Sequence, residues 1–201
     1  MKVMLATPPW RSTERWPPLG LLYLAGSVKR ERGDDVVVED AFCRNLSVDQ
    51  LVERVAAERP DVLGMSCSTH TFNVTMDVLR GVRETLPDTV IVLGGYHATF
   101  AAPWILEGYK FIEYILKGEA ERSLPRLLDH IEAGTEPVDV EGISFIRADG
   151  GLFERPLALI EDLDALDFPD RSLLGDFEYG YVFRGVPLTF GKFTTMSTSR
   201  G

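Results

Sequence analysis

From Val3 to Gly134 short apolar runs of strand length alternate with longer stretches of helical period, and this alternation constrains the fold more than any other feature. Strands joined by crossover helices run parallel and are buried on both faces, so they read as continuous apolar runs. Val3 to Ala6 is the first such run. Leu21, Leu24, Ala25 and Val28 then share one helical face in a segment from Leu19 to Arg32 that stops at Gly33, a residue suited to a left-handed cap. Val36 to Glu39 is the second strand. Ser47 followed by Gln50 makes a capping box, and Leu51, Val52, Val55 and Ala56 form the stripe of a helix that ends before Pro60. Asp61 to Ser66 is the third strand, followed by a helix carrying Val74, Val78, Leu79, Val82 and Leu86 and closed by Pro87. Val90 to Leu93 and Ile112 to Leu116 are the fourth and fifth strands. Leu124, Leu127, Leu128 and Ile131 mark the last helix, with Gly134 beyond it. The expectation is an α/β, Rossmann-like (flavodoxin-like), doubly wound parallel five-stranded sheet over residues 1–135, in strand order 2-1-3-4-5.

Beyond Gly134 the texture changes. Gly142 to Arg147 and Leu152 to Arg155 flank Ala148-Asp149-Gly150-Gly151, the pattern of a β-hairpin. An acidic linker from Ile160 to Asp167 leads to Phe168-Pro169-Asp170-Arg171, so residues 136–190 are expected to hold hairpin and linker. Residues 191–201 have strand composition without a partner strand, as expected of the first strand of a further domain.

The 201 residues carry 21 Lys and Arg against 31 Asp and Glu, a formal charge of -10. Such a surface repels a polyanion, and no basic run interleaved with aromatics offsets it, so nucleic acid is not an expected partner. The apolar run before Thr7 is too short for a signal-peptide core or a membrane span, which predicts a cytoplasmic protein. Cys43 and Cys67 are the two cysteines, too few and too far apart for a disulfide framework or a zinc site.

In an open α/β sheet ligands bind beyond the carboxyl ends of the strands. The candidate site is therefore the set of loops holding Thr7, Pro8, Pro9 and Trp10; Asp40; Ser66, Cys67, Ser68, Thr69 and His70; Gly94, Gly95, Tyr96 and His97; and Gly118, Glu119 and Glu121. Glycines there let backbone approach a bulky ligand, and hydroxyls can hold amide or phosphate oxygens. Glu119 and Glu121 are expected to open a helix, where acidic side chains complement the dipole. His97 is expected to make a polar contact to ligand or loop, and His130 to be solvated; no residue is assigned as a metal ligand. Thr7-Pro8-Pro9 and Ser66-Cys67-Ser68 stand where a phosphorelay receiver needs acids, and no Gly-x-Gly-x-x-Gly follows a strand, which excludes receiver chemistry and a dinucleotide turn.

Five motifs in order carry a family resemblance: Pro8-Pro9, Pro18-Leu19-Gly20-Leu21, Gly94-Gly95-Tyr96-His97-Ala98-Thr99, Gly118-Glu119-Ala120-Glu121 and Leu163-Asp164-Ala165-Leu166-Asp167-Phe168-Pro169. Together with Ser66-Cys67-Ser68 standing ahead of the paired glycines, they resemble the N-terminal cobalamin-binding domain of cobalamin-dependent radical-SAM enzymes. The resemblance implies that the loop residues above other than Trp10 and His70, with Leu19 and Gly20, contact cobalamin. It also implies that the parent transfers a methyl group or performs a radical cyclisation or rearrangement. In that family a strand like Thr195 to Gly201 is followed by Cys-x-x-x-Cys-x-x-Cys. The iron-sulfur (4Fe-4S) cluster, SAM and catalysis would then belong to a radical-SAM domain beyond Gly201, leaving this part non-catalytic. The Asp-x-His-x-x-Gly motif that supplies an axial histidine in many corrinoid proteins is absent after the first strand, so histidine ligation by that route is excluded. The alternative is a Rossmann-like module that has lost cobalamin and only docks substrate or another domain.

Overall fold

The computed structural model describes residues 1–11, 14–175, 179–183, 186–187 and 194–197. Its elements are β1 (Lys2–Thr7), β2 (Glu14–Arg15), α1 (Leu19–Arg32), β3 (Asp35–Asp40), α2 (Val48–Glu58), β4 (Val62–Ser66), α3 (Phe72–Thr85), β5 (Val90–Gly94), α4 (Tyr96–Gly108), β6 (Tyr114–Leu116), α5 (Ser123–Ala133), β7 (Ile143–Ile146), β8 (Leu152–Glu154), β9 (Gly180–Phe183) and β10 (Val186–Pro187).

Five parallel strands stand in the order β3-β1-β4-β5-β6, the expected arrangement. The hairpin is also present, and it lengthens the sheet: β7 pairs antiparallel with β6 and β8 with β7, giving seven strands in place of five. Gly142 makes this junction possible. Its φ is +70°, and a Cβ there would stand 2.6 Å from the Lys117 carbonyl oxygen, so only glycine lets the chain turn so close beside the end of β6. Phe145 then packs between the rings of Tyr114 and Phe153, at centroid distances of 5.8 and 5.1 Å.

Helices cover both faces. One core joins Met4, Leu63, Met65, Ile91 and Leu93 to α2, α3 and α4; the other joins Val3, Leu5, Val36, Val38 and Val92 to α1 and α5. Each fully buried Leu, Ile or Val contributes roughly 1.5–3 kcal/mol, so this double layer holds the sheet against its helices. The expected capping box is formed: the Ser47 hydroxyl accepts from Gln50 N at 3.1 Å and Ser47 N donates to Gln50 Oε1 at 2.9 Å. Gly33 and Gly134 close α1 and α5 in the left-handed conformation.

Three expectations are corrected. The fifth strand starts at Tyr114, because Ile112 N donates to the Tyr109 carbonyl and holds residues 109–112 in a turn. The last helix starts at Ser123, after a turn that begins with Gly118 at φ +71°, so Glu119 and Glu121 precede the helix. His130 is mostly buried and bonded: its ring nitrogens lie 2.8 Å from the Thr135 hydroxyl and 2.6 Å from Asp139 Oδ1.

The linker returns to the domain. Lys29 pairs with Asp170 at 2.7 Å, and Leu174 and Tyr179 enter the core under α1. β9 then pairs antiparallel with β2, in the loop after β1, and with β10. Of the terminal segment 191–201, residues 194–197 are described and belong to no strand; the rest of the expected terminal strand lies outside the described residues.

Candidate functional site

Strand register sorts the rim residues between the two faces. Val38, Leu5, Gly64, Val92 and Tyr114 stand side by side on the face covered by α1 and α5. Side chains alternate along a strand, so two residues nearer the carboxyl edge the same face carries Asp40, Thr7, Ser66, Gly94 and Leu116. A layer of mainly large apolar side chains thus gives way, in the middle of the sheet, to two hydroxyls and a glycine. The intervening Ala6, Met65, Leu93 and Ile115, and Cys67 just past β4, face the opposite core.

The paired glycines do different work. Gly95 has φ +90°, and a Cβ on it would stand 2.6 Å from the Cys67 carbonyl oxygen and 2.7 Å from Ser66 Oγ. It lets the loops after β4 and β5 touch, and two backbone bonds lock them: Cys67 N to Gly94 O at 2.9 Å and His97 N to Cys67 O at 3.3 Å. Among the described residues, a Cβ on Gly94 would meet only the Leu116 carbonyl oxygen, at 3.5 Å, an ordinary contact. Among those residues a methyl group therefore fits over Gly94, which pairs with Ser66.

Asp40 closes the β3 side of the rim. It is buried, and its carboxylate accepts from the Thr7 hydroxyl at 2.9 Å, from Cys43 N at 3.2 Å and from the Tyr179 hydroxyl at 3.1 Å. Burial, then the nearby Asp40 charge, pushes the Tyr179 hydroxyl and the Cys43 thiol well above their ordinary values. Neither ionises at neutral pH. Burial alone raises the Cys67 thiol to about 11, and its side chain points into the core among α3 and α4.

On the α3 side, His97 Nδ1 lies 3.2 Å from the Thr69 hydroxyl and its ring packs on Phe72 with centroids 4.5 Å apart. Its Nε2 is buried without a hydrogen-bond partner among the described residues. Tyr96 is 82% exposed beside it. Trp10 and His70, from the loops after β1 and β4, meet edge to face with centroids 4.9 Å apart, and the Ser68 hydroxyl lies 3.2 Å from His70 Nδ1. Pro8 and Pro9 are buried beneath them.

On the β6 side, Gly118 N donates to the Thr99 hydroxyl at 3.1 Å, Leu157 lies against Gly118, and Glu119 Oε2 accepts from Ile160 N at 2.8 Å. Glu121 is buried. At the start of α1, Leu19 is half-buried and Gly20 exposed, with no described residue within 4 Å of where a Cβ would stand. Thr7, Asp40, Ser66 and Gly94 thus line one face, whereas Cys67, Thr69 and His97 belong to the other. Tyr179 and Leu116 are rim residues that sequence reasoning missed. Nothing local marks Tyr179, which lies 139 positions from the carboxylate it bonds.

The doubly wound sheet, with its open glycine position and hydroxyls at the carboxyl edge, is the architecture of a cofactor-binding α/β domain. The B12 binding domain family matches residues 11–128, and the chain belongs to it. Among curated proteins it is 33% identical over 191 residues to the anaerobic magnesium-protoporphyrin IX monomethyl ester cyclase of Rubrivivax gelatinosus, covering 90% of this chain and 34% of that protein. It is 27% identical to the cobalamin-dependent radical SAM methyltransferase TokK of Streptomyces tokunonensis, over 58% of this chain and 17% of that one. Among solved structures, the cobalamin-dependent S-adenosylmethionine radical enzyme OxsB with aqua-cobalamin and S-adenosylmethionine bound superposes with a TM-score of 0.76, at 17% identity, over 87% of this chain and 24% of that one. The chain is thus a cobalamin-binding domain related to radical SAM methyltransferases and cyclases, and spans about a third of the length of the cyclase. Among the described residues no helix is long and apolar enough to cross a membrane.

Proposed function

We propose that this chain holds cobalamin as the N-terminal module of a radical-SAM enzyme that transfers a methyl group or carries out a radical cyclisation. The observation that carries the reading is the small, hydroxyl-bearing layer of Thr7, Ser66 and Gly94 at the carboxyl edge, under α1 and α5. A corrinoid has a bulky ring and a long nucleotide tail, and the lack of a side chain on Gly94 lets a tail lie close to backbone. There the Ser66 hydroxyl can donate to its polar atoms, while the Thr7 hydroxyl, whose proton goes to Asp40, can only accept. When bound, cobalamin supplies a cobalt centre able to carry a methyl group. The residues of this chain orient the corrinoid and exclude water from its tail. SAM cleavage and the 4Fe-4S cluster belong, on this reading, to a radical-SAM domain of the same polypeptide.

Titration of the protein with hydroxocobalamin should shift the corrin absorption bands and saturate at one equivalent. Absence of any spectral or calorimetric change at saturating ligand would overturn the reading. A second reading, a docking module without corrinoid, is favoured by one feature: α4 exposes Tyr96, Phe100 and Trp104 in a stripe. Gly94→Leu separates the two, because it abolishes corrinoid uptake only if the space over Gly94 holds the ligand.

A further inference from the structure

Helix α4 is apolar on every side. From Tyr96 to Leu106 it contains no Asp, Glu, Lys or Arg, and only Glu107 and Gly108 follow before its end. A helix of that composition belongs inside a core, with protein against all of its faces. Here Ala98, Ala102, Ile105 and Leu106 are buried against the sheet, while Tyr96, Phe100 and Trp104 point outward, 82, 86 and 57% exposed. Its neighbours follow the usual rule: α2 turns Asp49 and Glu53 to solvent, α3 turns Asp77 and Arg80, and α5 turns Arg126 and Asp129. Among the described residues, nothing covers the outer face of α4.

The three aromatic residues are spaced four apart, so they form one ridge along the helix, about 12 Å from first to last. Trp104 packs on the rings of Phe72 and Tyr109, at centroid distances of 5.6 and 5.9 Å, and this holds the ridge from beneath. Side chains already fixed lose little freedom when a partner covers them. A buried aromatic residue removes roughly 150–250 Å² from water, so three at these exposures offer about 450 Å². That is close to the roughly 500 Å² per partner that a small specific interface needs, and the exposed Pro103 beside them adds to it.

We propose that α4 pairs with α4 of a second copy of this chain, antiparallel about a two-fold axis at Phe100. Charge favours a copy meeting here: each chain carries a formal charge of -10, so two copies repel wherever acidic faces approach, and the ridge is uncharged. In this register Tyr96 lies against the partner's Trp104, and Phe100 against the partner's Phe100. Glu107 then stands by the first turn of the partner's α4, the positive end of its dipole. Every contact away from the axis occurs twice, as an isologous interface requires. The pairing involves no corrinoid, so its failure would leave the function proposed above untouched.

Sedimentation equilibrium should show a mass rising with concentration from that of one chain, 22.4 kDa, to twice that value. Phe100→Asp sets two carboxylates together at the axis and should leave only single chains. Phe100 is exposed, so the circular dichroism of that variant stays that of the unsubstituted protein. Under mild oxidation Phe100→Cys should link two copies. Glu107→Cys should not, because its two thiols lie about 21 Å apart along the axis. Cys43 and Cys67 are buried and do not compete. A single-chain mass at every concentration would overturn the pairing and leave the ridge to a different protein or to another part of the polypeptide. A dimer that survives Phe100→Asp would put the interface on another face, and linkage through Glu107→Cys in place of Phe100→Cys would refute the antiparallel register.

Discussion

Gly94 and Gly95 are adjacent in sequence and opposite in role. A side chain at Gly95 must adopt a φ of +90° and press on the Cys67 backbone, so Gly95→Ala should cost about 2–4 kcal/mol and lower the midpoint of urea unfolding. At Gly94 the added methyl meets one carbonyl at 3.5 Å, and the gain from a less flexible unfolded chain offsets any crowding. Gly94→Ala should leave stability within about 0.5 kcal/mol while weakening hydroxocobalamin binding. Equal destabilisation by the two alanines would show that Gly94 too is packed against protein. The pair itself was legible in the sequence because two glycines directly after an apolar strand run mark a place where backbone can approach closely. Which of them opens a space was not, since that depends on which face of the sheet each Cβ would take. A trace of it was present in the strand runs, where Gly64 and Ser66 alternate with Leu63 and Met65 as small residues on one face.

At the level of elements, most helices announced themselves through stripes and caps, and Ser47→Ala should cost about 1 kcal/mol by removing the capping hydroxyl of α2. Helix α4 did not. Glu107 is its one charged residue, and it contains Pro103, so neither a periodic stripe nor a clean propensity marks it; packing of Ala98, Ala102, Ile105 and Leu106 on the sheet holds it helical. The far end of α5 carries a pH prediction. Arg126 Nε donates to Asp139 Oδ2 at 3.1 Å, and this bond, helped by His130, lowers the Asp139 carboxyl to about 2 from an ordinary 3.8. The folded value lies below the unfolded one, so the pair stabilises the fold fully above the ordinary value and the contribution is lost as pH falls through about 2. A carboxyl titration by nuclear magnetic resonance should place the Asp139 midpoint near 2, and Arg126→Ala should return it toward 3.8. A midpoint unmoved by that substitution would show that solvent screens the pair completely.

Across the whole molecule the sheet, its strand order and the hairpin followed from local patterns, whereas the return of the chain onto the rim did not. Periodicity reports which face of an element is buried, and says nothing about which distant segment buries it. The tie that matters is Asp40, where the end of β1, the turn after β3 and the segment after the linker meet on one buried carboxylate. Removing a shared buried acceptor strands several donors at once, so its loss costs more than the loss of any one donor. Asp40→Ala should therefore destabilise the protein by about 3 kcal/mol in urea unfolding, whereas Tyr179→Phe, which deletes a single hydroxyl and keeps the ring, should cost about 1 kcal/mol. If the two substitutions cost the same, the Tyr179 bond alone ties the linker to the rim, and the Thr7 and Cys43 bonds add nothing. If neither has an effect, the segment after the linker does not rest on the cobalamin-binding fold in solution, and the wall it builds beside Thr7 is not part of the site.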